Sequence, residues 1–192
     1  MSNFTCQDID KYKIKKPTPK SSSKNIQRFL DAHNNGIKYG SKVRKEGTEY
    51  RMDRGGVNFK TVLDELHESS IKKKTQHYIW YIFPQPVYKK SGISTTSQCF
   101  YVDEEEVELF LKNTQLRKNL NQALRALENK NLNAVQLSYY FSPQGDHYKF
   151  SSFRRFFLKV IKKIEKDGAV SPTTQNSIQS IKAKLLKLNI IT

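Results

Sequence analysis

In the last third of the chain, Phe150, Phe153, Phe157, Val160, Ile161 and Ile164 follow one another at intervals of three, four, three, one and three residues. That spacing lines all six along one side of an α-helix, and so apolar a stripe has to be buried against other elements. Gly168 follows, a residue type that tolerates the left-handed conformation in which helices commonly end. Leu116, Leu120, Ala123, Leu124 and Leu127 form a second core-facing stripe at intervals of four, three, one and three residues. Two such stripes commit the chain to packing helix on helix.

Local signals extend that pattern. Ser171 and Pro172 read as an N-cap and a first-turn proline, opening a helix whose Ile178, Ile181, Leu185 and Leu188 face the core. Asp103 can cap a helix carrying Leu109, Phe110 and Leu111, with Glu106 as its capping-box partner. Asn133 caps a short helix through Leu137 to Phe141, Lys24 to His33 forms another, and Phe59, Val62, Leu63 and Leu66 have helical spacing within residues 57–70. The run from Tyr78 to Phe83 is apolar on every side and therefore buried. Its aromatic and β-branched residues favour a strand by propensity, its periodicity decides nothing, and Pro84 ends it either way. The fold class predicted is mainly α, a single compact helical domain of five to seven helices over residues 25–192. Residues 1–24, with six lysines, two aspartates, Pro17, Pro19 and the serines 21–23, are predicted to be a flexible basic tail. Residues 36–56 hold five of the eight glycines and mixed charges, and read as an inserted glycine-rich loop too polar to pack.

Charge narrows the function less than its size suggests. Lysine and arginine total 34 against 18 acidic residues, a net charge of +16 that suits a polyanionic partner. Only eight of those basic residues are arginine, while asparagine and isoleucine are abundant, the codon bias of an AT-rich genome. Sequence-specific base reading leans on the arginine fork, so weak non-specific nucleic-acid binding is the form this charge supports. No run of about 18 apolar residues is present, so no membrane partner is expected, and the start lacks the apolar stretch of a secretory signal, which predicts a cytoplasmic protein. Cys6 and Cys99 make neither a disulfide framework nor a metal site, and His33, His67 and His147 lack metal-ligand spacing. Glycine-rich phosphate-binding patterns are absent, so no cofactor is identified.

Two polar-aromatic segments stand out from the helical background, residues 72–85 and 141–153. In the second, Asp146, Lys149 and Ser152 recur every three residues at a helix start and share a face. A lysine and hydroxyls beside free backbone amides can hold a phosphate or carboxylate; equally, Asp146 can serve as an N-cap with Lys149 solvated and the serines bonded locally. His77 is either an acid–base group or a buried, hydrogen-bonded histidine, and Trp80 either stacks on a ligand or packs in the core.

These segments resemble a known family, the bacterial domain of unknown function 1810 (DUF1810), sometimes labelled calpastatin-like. Gln27-Arg28-Phe29-Leu30-Asp31-Ala32 is similar to the family's opening Arg-Phe-x-x-Ala helix, and Val62-Leu63-Asp64-Glu65-Leu66 resumes the match. His77-Tyr78-Ile79-Trp80-Tyr81-Ile82-Phe83-Pro84-Gln85 resembles the family's His-Trp-Met-Trp-Tyr-Ile-Phe-Pro-Gln, and Asp146, Lys149, Ser151, Ser152 and Phe156 match its Asp-x-x-Lys-x-Ser-Ser-x-x-x-Phe. Order and spacing agree from residue 26 to about 188. The chain departs at Pro86-Val87-Tyr88-Lys89-Lys90, where the family has a glycine-leucine-glycine turn, at Tyr78, where tryptophan is usual, and at Arg154-Arg155, where Thr-Leu is usual. The resemblance implies a compact helical domain, hence a helix rather than a strand at 78–83, but supplies no activity.

From these residues the sequence predicts a polar pocket between segments 77–85 and 146–152. It would bind a small anionic, nucleotide-like ligand, with processing of that ligand left open. Lys149, Ser151, Ser152 and the helix N-terminus would hold the anion, Trp80 and Tyr81 would wall the pocket, and Gln85 would orient the ligand. His77 and Asp146 are the candidate catalytic pair. The alternative is a basic nucleic-acid-binding or protein-interaction accessory protein without catalysis.

Overall fold

Leucine on nearly every turn makes the helix Thr114–Asn129 a scaffold rather than a surface element, since Leu116, Leu120, Ala123, Leu124 and Leu127 are all fully buried. In the computed structural model, which describes residues 26–68, 72–87, 93–168 and 170–190, this helix is the sixth of nine α-helices among the described residues. In chain order they are α1 Gln27–Asn35, α2 Phe59–His67, α3 Ile79–Ile82, α4 Thr95–Cys99, α5 Glu104–Lys112, α6 Thr114–Asn129, α7 Ala134–Tyr140, α8 Asp146–Asp167 and α9 Pro172–Lys187. The protein is mainly helical. The predicted tail 1–24 lies outside the described residues, and no described helix is long and apolar enough to cross a membrane.

Helices α1, α2, α3, α5 and α9 pack on α6, while α3, α5, α7 and α9 pack on α8. The caps behave as local chemistry dictates: Asp103 and Asn133 both form capping boxes, Ser171 accepts from the Thr174 amide, and Gly168 closes α8 with a φ of 63°. Asn113 ends α5 and caps α6 at once, its side chain accepting from the Leu116 amide.

The structure corrects the reading in two places. The helix count exceeds seven because α3 and α4 are each one turn long. The first is apolar all round and the second is mostly polar, so neither shows a helical period. Residues 36–56 are not an unpacked loop. Lys42–Lys45 (β1) and Thr48–Arg51 (β2) pair antiparallel, turning at Glu46 and Gly47, both with positive φ as a tight two-residue hairpin requires. Val43 opposes Tyr50 and both pack on the core, as does the buried Met52; three apolar residues among many charges were too faint a period to register. The neck of the hairpin closes through reciprocal bonds between Ile37 and Gly56 (2.8 and 2.9 Å). A Cβ on Gly56 would come within 2.7 Å of the His77 carbonyl oxygen, so a side chain there would push the hairpin away from α3.

Two buried polar groups tie the layers together. Arg28 of α1 pairs with Glu106 of α5 at 2.6 Å, both side chains 1% exposed, and its Nε donates to the Cys99 carbonyl at 2.8 Å. Lys45 of the hairpin reaches the same carboxylate at 3.7 Å and donates to the Tyr101 carbonyl at 2.6 Å. His33 lies against Phe59, donates from Nε2 to the Tyr81 carbonyl (2.9 Å) and accepts at Nδ1 from Asn119 (2.9 Å). Burial drives its pKa down from 6.5 to about 4 against the opposing effect of the Tyr81 bond.

Removing the Glu106 carboxylate by Glu106→Ala should cost about 3–5 kcal/mol, because Arg28 is left charged and buried. The solvent-facing Glu104→Ala should cost under about 1 kcal/mol. Urea unfolding of both variants checks this, and equal losses would refute it. His33 stays neutral in the fold while the unfolded chain protonates it below pH about 6.5, so its contribution is full above that pH and is lost as pH falls toward 4. Stability should fall by about 3 kcal/mol through that window on this account, and His33→Gln should flatten the decline; parallel pH curves for the two proteins would refute it.

Candidate functional site

The connection between α2 and α3 carries Lys72, Lys73 and Lys74, and the structure treats them differently. Lys72 and Lys73 are exposed, whereas Lys74 is buried. Its amide donates to the Tyr140 carbonyl at 2.9 Å, pinning the connection to the end of α7. Glu65 of α2 holds the next residues: one oxygen accepts from the Thr75 hydroxyl (2.7 Å) and the Gln76 amide (2.8 Å), the other from the Tyr78 hydroxyl (3.0 Å). The Lys74 ammonium is thereby aimed at Asp146, 2.7 Å away, and also donates to the Gln76 carbonyl at 2.6 Å.

Asp146 is the first residue of α8. The cap position belongs to Gly145, at φ 69°, so Asp146 is not an N-cap and is free to accept from lysines. A 3-10 turn, Pro143–Gly145, runs directly into the helix and already uses the Asp146 amide, which donates to the Pro143 carbonyl. One carboxylate therefore holds two cations, Lys74 on one oxygen and Lys149 on the other at 2.6 Å. The cluster carries surplus positive charge at a helix N-terminus, where the helix dipole adds to it.

Phe83 ties this end of α8 to α3, packing edge-on against Phe141 and Phe150 and at an angle to Phe153, with ring centroids 5.1–6.0 Å apart. Trp80 is carried with it: the Lys149 ammonium lies 5.8 Å from the indole and the His77 ring stacks on it at 6.1 Å and 17°. The cluster is graded from inside to outside. Lys74, Asp146 and Trp80 are buried, the Lys149 side chain is 16% exposed, and His77 is exposed. Even so, the partial burial of the His77 ring is the main cause that lowers its pKa. Lys74 and Arg54 add to the shift and Asp146 opposes it, so the neutral ring is favoured over the charged one.

Four of the predicted site residues thus come together: His77, Trp80, Asp146 and Lys149. Among the described residues no hydrogen bond or ion pair joins Gln85, Ser151 or Ser152 to them, and none links His77 to Asp146. Ser151 and Ser152 lie in the second turn of α8, past the amides of the helix start. The buried side chain of Gln85 makes one long bond, to the Phe83 carbonyl at 3.4 Å, while its own carbonyl accepts from the Val102 amide at 2.9 Å. Sequence reading missed Lys74 and Glu65. Nothing distinguishes Lys74 from the two lysines before it, and the hints for Glu65 are its place next to Val62 and Leu66 on the buried side of α2 and its position within the matching stretch 62–66.

Trp80 Nε1, Gln85 Oε1 and Ser142 Oγ are buried without a hydrogen-bond partner, and all three fall in the two segments that stood out in the sequence. Native interiors leave few such atoms, so their concentration here is a property of this region. Other features point elsewhere. A cleft of about 570 Å³ opens between α1 and the hairpin, lined by Arg28, Leu30, Lys42, Arg44 and Phe100 among others, and none of its lining residues belongs to either segment. Carboxylate oxygens of Glu46, Asp103 and Glu106 lie within 4.8 Å of one another, but Glu106 is already neutralised by Arg28 and Lys45.

Comparison with known proteins is consistent with the motif residues. No curated protein and no solved structure matches the chain. The family model described as protein of unknown function (DUF1810) matches residues 23–170 and ends before α9, short of the residue 188 to which the resemblance was expected to run. The match includes the buried Arg28, the Glu65 brace, the whole of α3 and all of α8, well over half of the 192 residues. The chain belongs to the DUF1810 family.

Proposed function

We propose that the protein binds a small anionic, nucleotide-like ligand at the exposed edge of the Asp146 cluster. The observation that carries this reading is a buried Trp80 indole N–H without a partner beside Lys149, whose ammonium shares one carboxylate with a second lysine. A phosphate or carboxylate would take Lys149 as a second counter-ion while Lys74 keeps Asp146 neutralised. Lys149 is the more accessible of the two lysines, and the positive helix terminus favours the incoming charge.

In this reading Lys149 is the principal anion ligand and Asp146 is a positioning residue that holds it before the ligand arrives. His77, exposed and neutral, covers one side of Trp80 and is the group able to accept or donate a proton at the mouth of the site. Trp80 offers a ring and a donor, Gln85 a buried amide, and Ser151 and Ser152 hydroxyls from the next turn of α8. The binding role rests on the geometry around Lys149; a reaction would further require His77.

Thermal shift against nucleotides and phosphorylated metabolites tests it. Ligand at about 100 times its dissociation constant adds roughly 2.7 kcal/mol of stability. Lys149→Ala should abolish the shift while the free variant stays folded, since Lys74 still neutralises Asp146. A ligand-induced shift that survives Lys149→Ala would overturn the role given to this residue, and a folded wild-type protein stabilised by none of these compounds would overturn the reading itself.

A further inference from the structure

Beside the cluster lies a surface that the small-ligand reading leaves unused. On α7, Val135 and Tyr139 are one turn apart on the same outward face, 64% and 51% exposed. The Lys73 ammonium lies 4.9 Å from the centre of the Tyr139 ring, and Lys72 next to it is exposed. This surface is continuous with the anion cluster through the backbone: Lys73 precedes Lys74, whose amide bonds to the residue after Tyr139. The carboxylates nearest it are engaged, Glu65 by the Thr75 and Tyr78 hydroxyls and Asp146 by its two lysines, which leaves Glu68 as the exposed acid at the end of α2.

We infer that this face binds single-stranded nucleic acid, with one base stacked on Tyr139, flanking phosphates on Lys72 and Lys73, and a further phosphate at Lys149. The inference rests on the proposed anion site and extends it from one phosphate to several. An exposed aromatic ring beside lysines is the pattern by which single strands are held without sequence preference. Charge complementarity favours this occupant, since the chain as a whole carries +16. A folded protein partner fits less well: two exposed apolar side chains fall far short of the roughly 800 Å² per partner that a stable protein interface buries.

Fluorescence anisotropy with a labelled 12-nucleotide oligo(U) or oligo(dT), alongside calorimetry with UMP, tests the inference on the full chain. Wild-type protein should bind the oligonucleotide with an affinity that falls with salt. Tyr139→Ala should weaken it roughly 5- to 150-fold, the range of one lost base stack, while Tyr139→Phe should restore it and UMP binding should stay the same in both. Lys149→Ala should weaken both ligands. UMP binding without any gain for the oligonucleotide, or oligonucleotide binding indifferent to Tyr139→Ala, overturns the inference and leaves the anion site standing. Failure of both ligands overturns the two together.

Discussion

Six consecutive side chains, Tyr78 to Phe83, are at most 2% exposed, and a segment so enclosed must find partners for its polar atoms inside the protein. Those partners come from four directions. The Tyr81 carbonyl is met by His33 of α1, the Tyr81 hydroxyl by the Val57 carbonyl at the exit of the hairpin, and the Tyr78 hydroxyl by Glu65 of α2 and Tyr140 of α7. The rings of Phe83, Phe141, Phe150 and Phe153 then close the contact with α8. Each bond orients an element as well as satisfying an atom, so the short helix decides where α1, α2, the hairpin and the start of α8 can lie. His33 illustrates the cost: an imidazole that must stay neutral to serve Tyr81 and Asn119 makes the centre of the fold sensitive to acid.

Two buried charge clusters flank this segment, and they differ in a way that bears on function. Around Arg28, Glu106 meets two cations, and those cations spend further donors on the Cys99 and Tyr101 carbonyls, so that α1, α5 and the hairpin are tied to one another. Around Asp146 the same ratio of two cations to one carboxylate is reached, but the cluster grades outward to a partly open Lys149 and an exposed His77. The first arrangement has the form of a structural joint. The second leaves a cation and an imidazole where a solute can reach them, beside a tryptophan whose N–H is unanswered.

What could be read from the sequence follows from how local each signal is. Asp103, Asn133, Ser171 and Gly168 act within a few residues of themselves, and each was legible as a cap. The stripes of α6 and α8 were legible because each has a buried side and an exposed one. The helix α3 has no exposed side, so it presents no period, and only the family resemblance made it helical. The hairpin hides its packing in Val43, Tyr50 and Met52, outnumbered by charges facing out. In the site, Asp146, Lys149, His77 and Trp80 stood out through motif and spacing. Lys74 did not, because its burial is imposed by Glu65 and Tyr140, which come from helices on either side of it in the sequence.

The unequal exposure of the two lysines gives the proposed site a direction. Breaking the buried Lys74–Asp146 pair strands a charge in the interior, a loss of about 3–5 kcal/mol, whereas Lys149, 16% exposed against 3% for Lys74, is the partner that solvent or an arriving anion reaches first. An arriving anion would therefore engage Lys149 and leave Lys74 in place, and Asp146 would keep a counter-ion throughout. Two lysines on one carboxylate allow this; with Lys149 alone, the same ligand would have to leave Asp146 buried and unpaired. The second lysine, the one the sequence conceals among its neighbours, is thus what would let the first one bind.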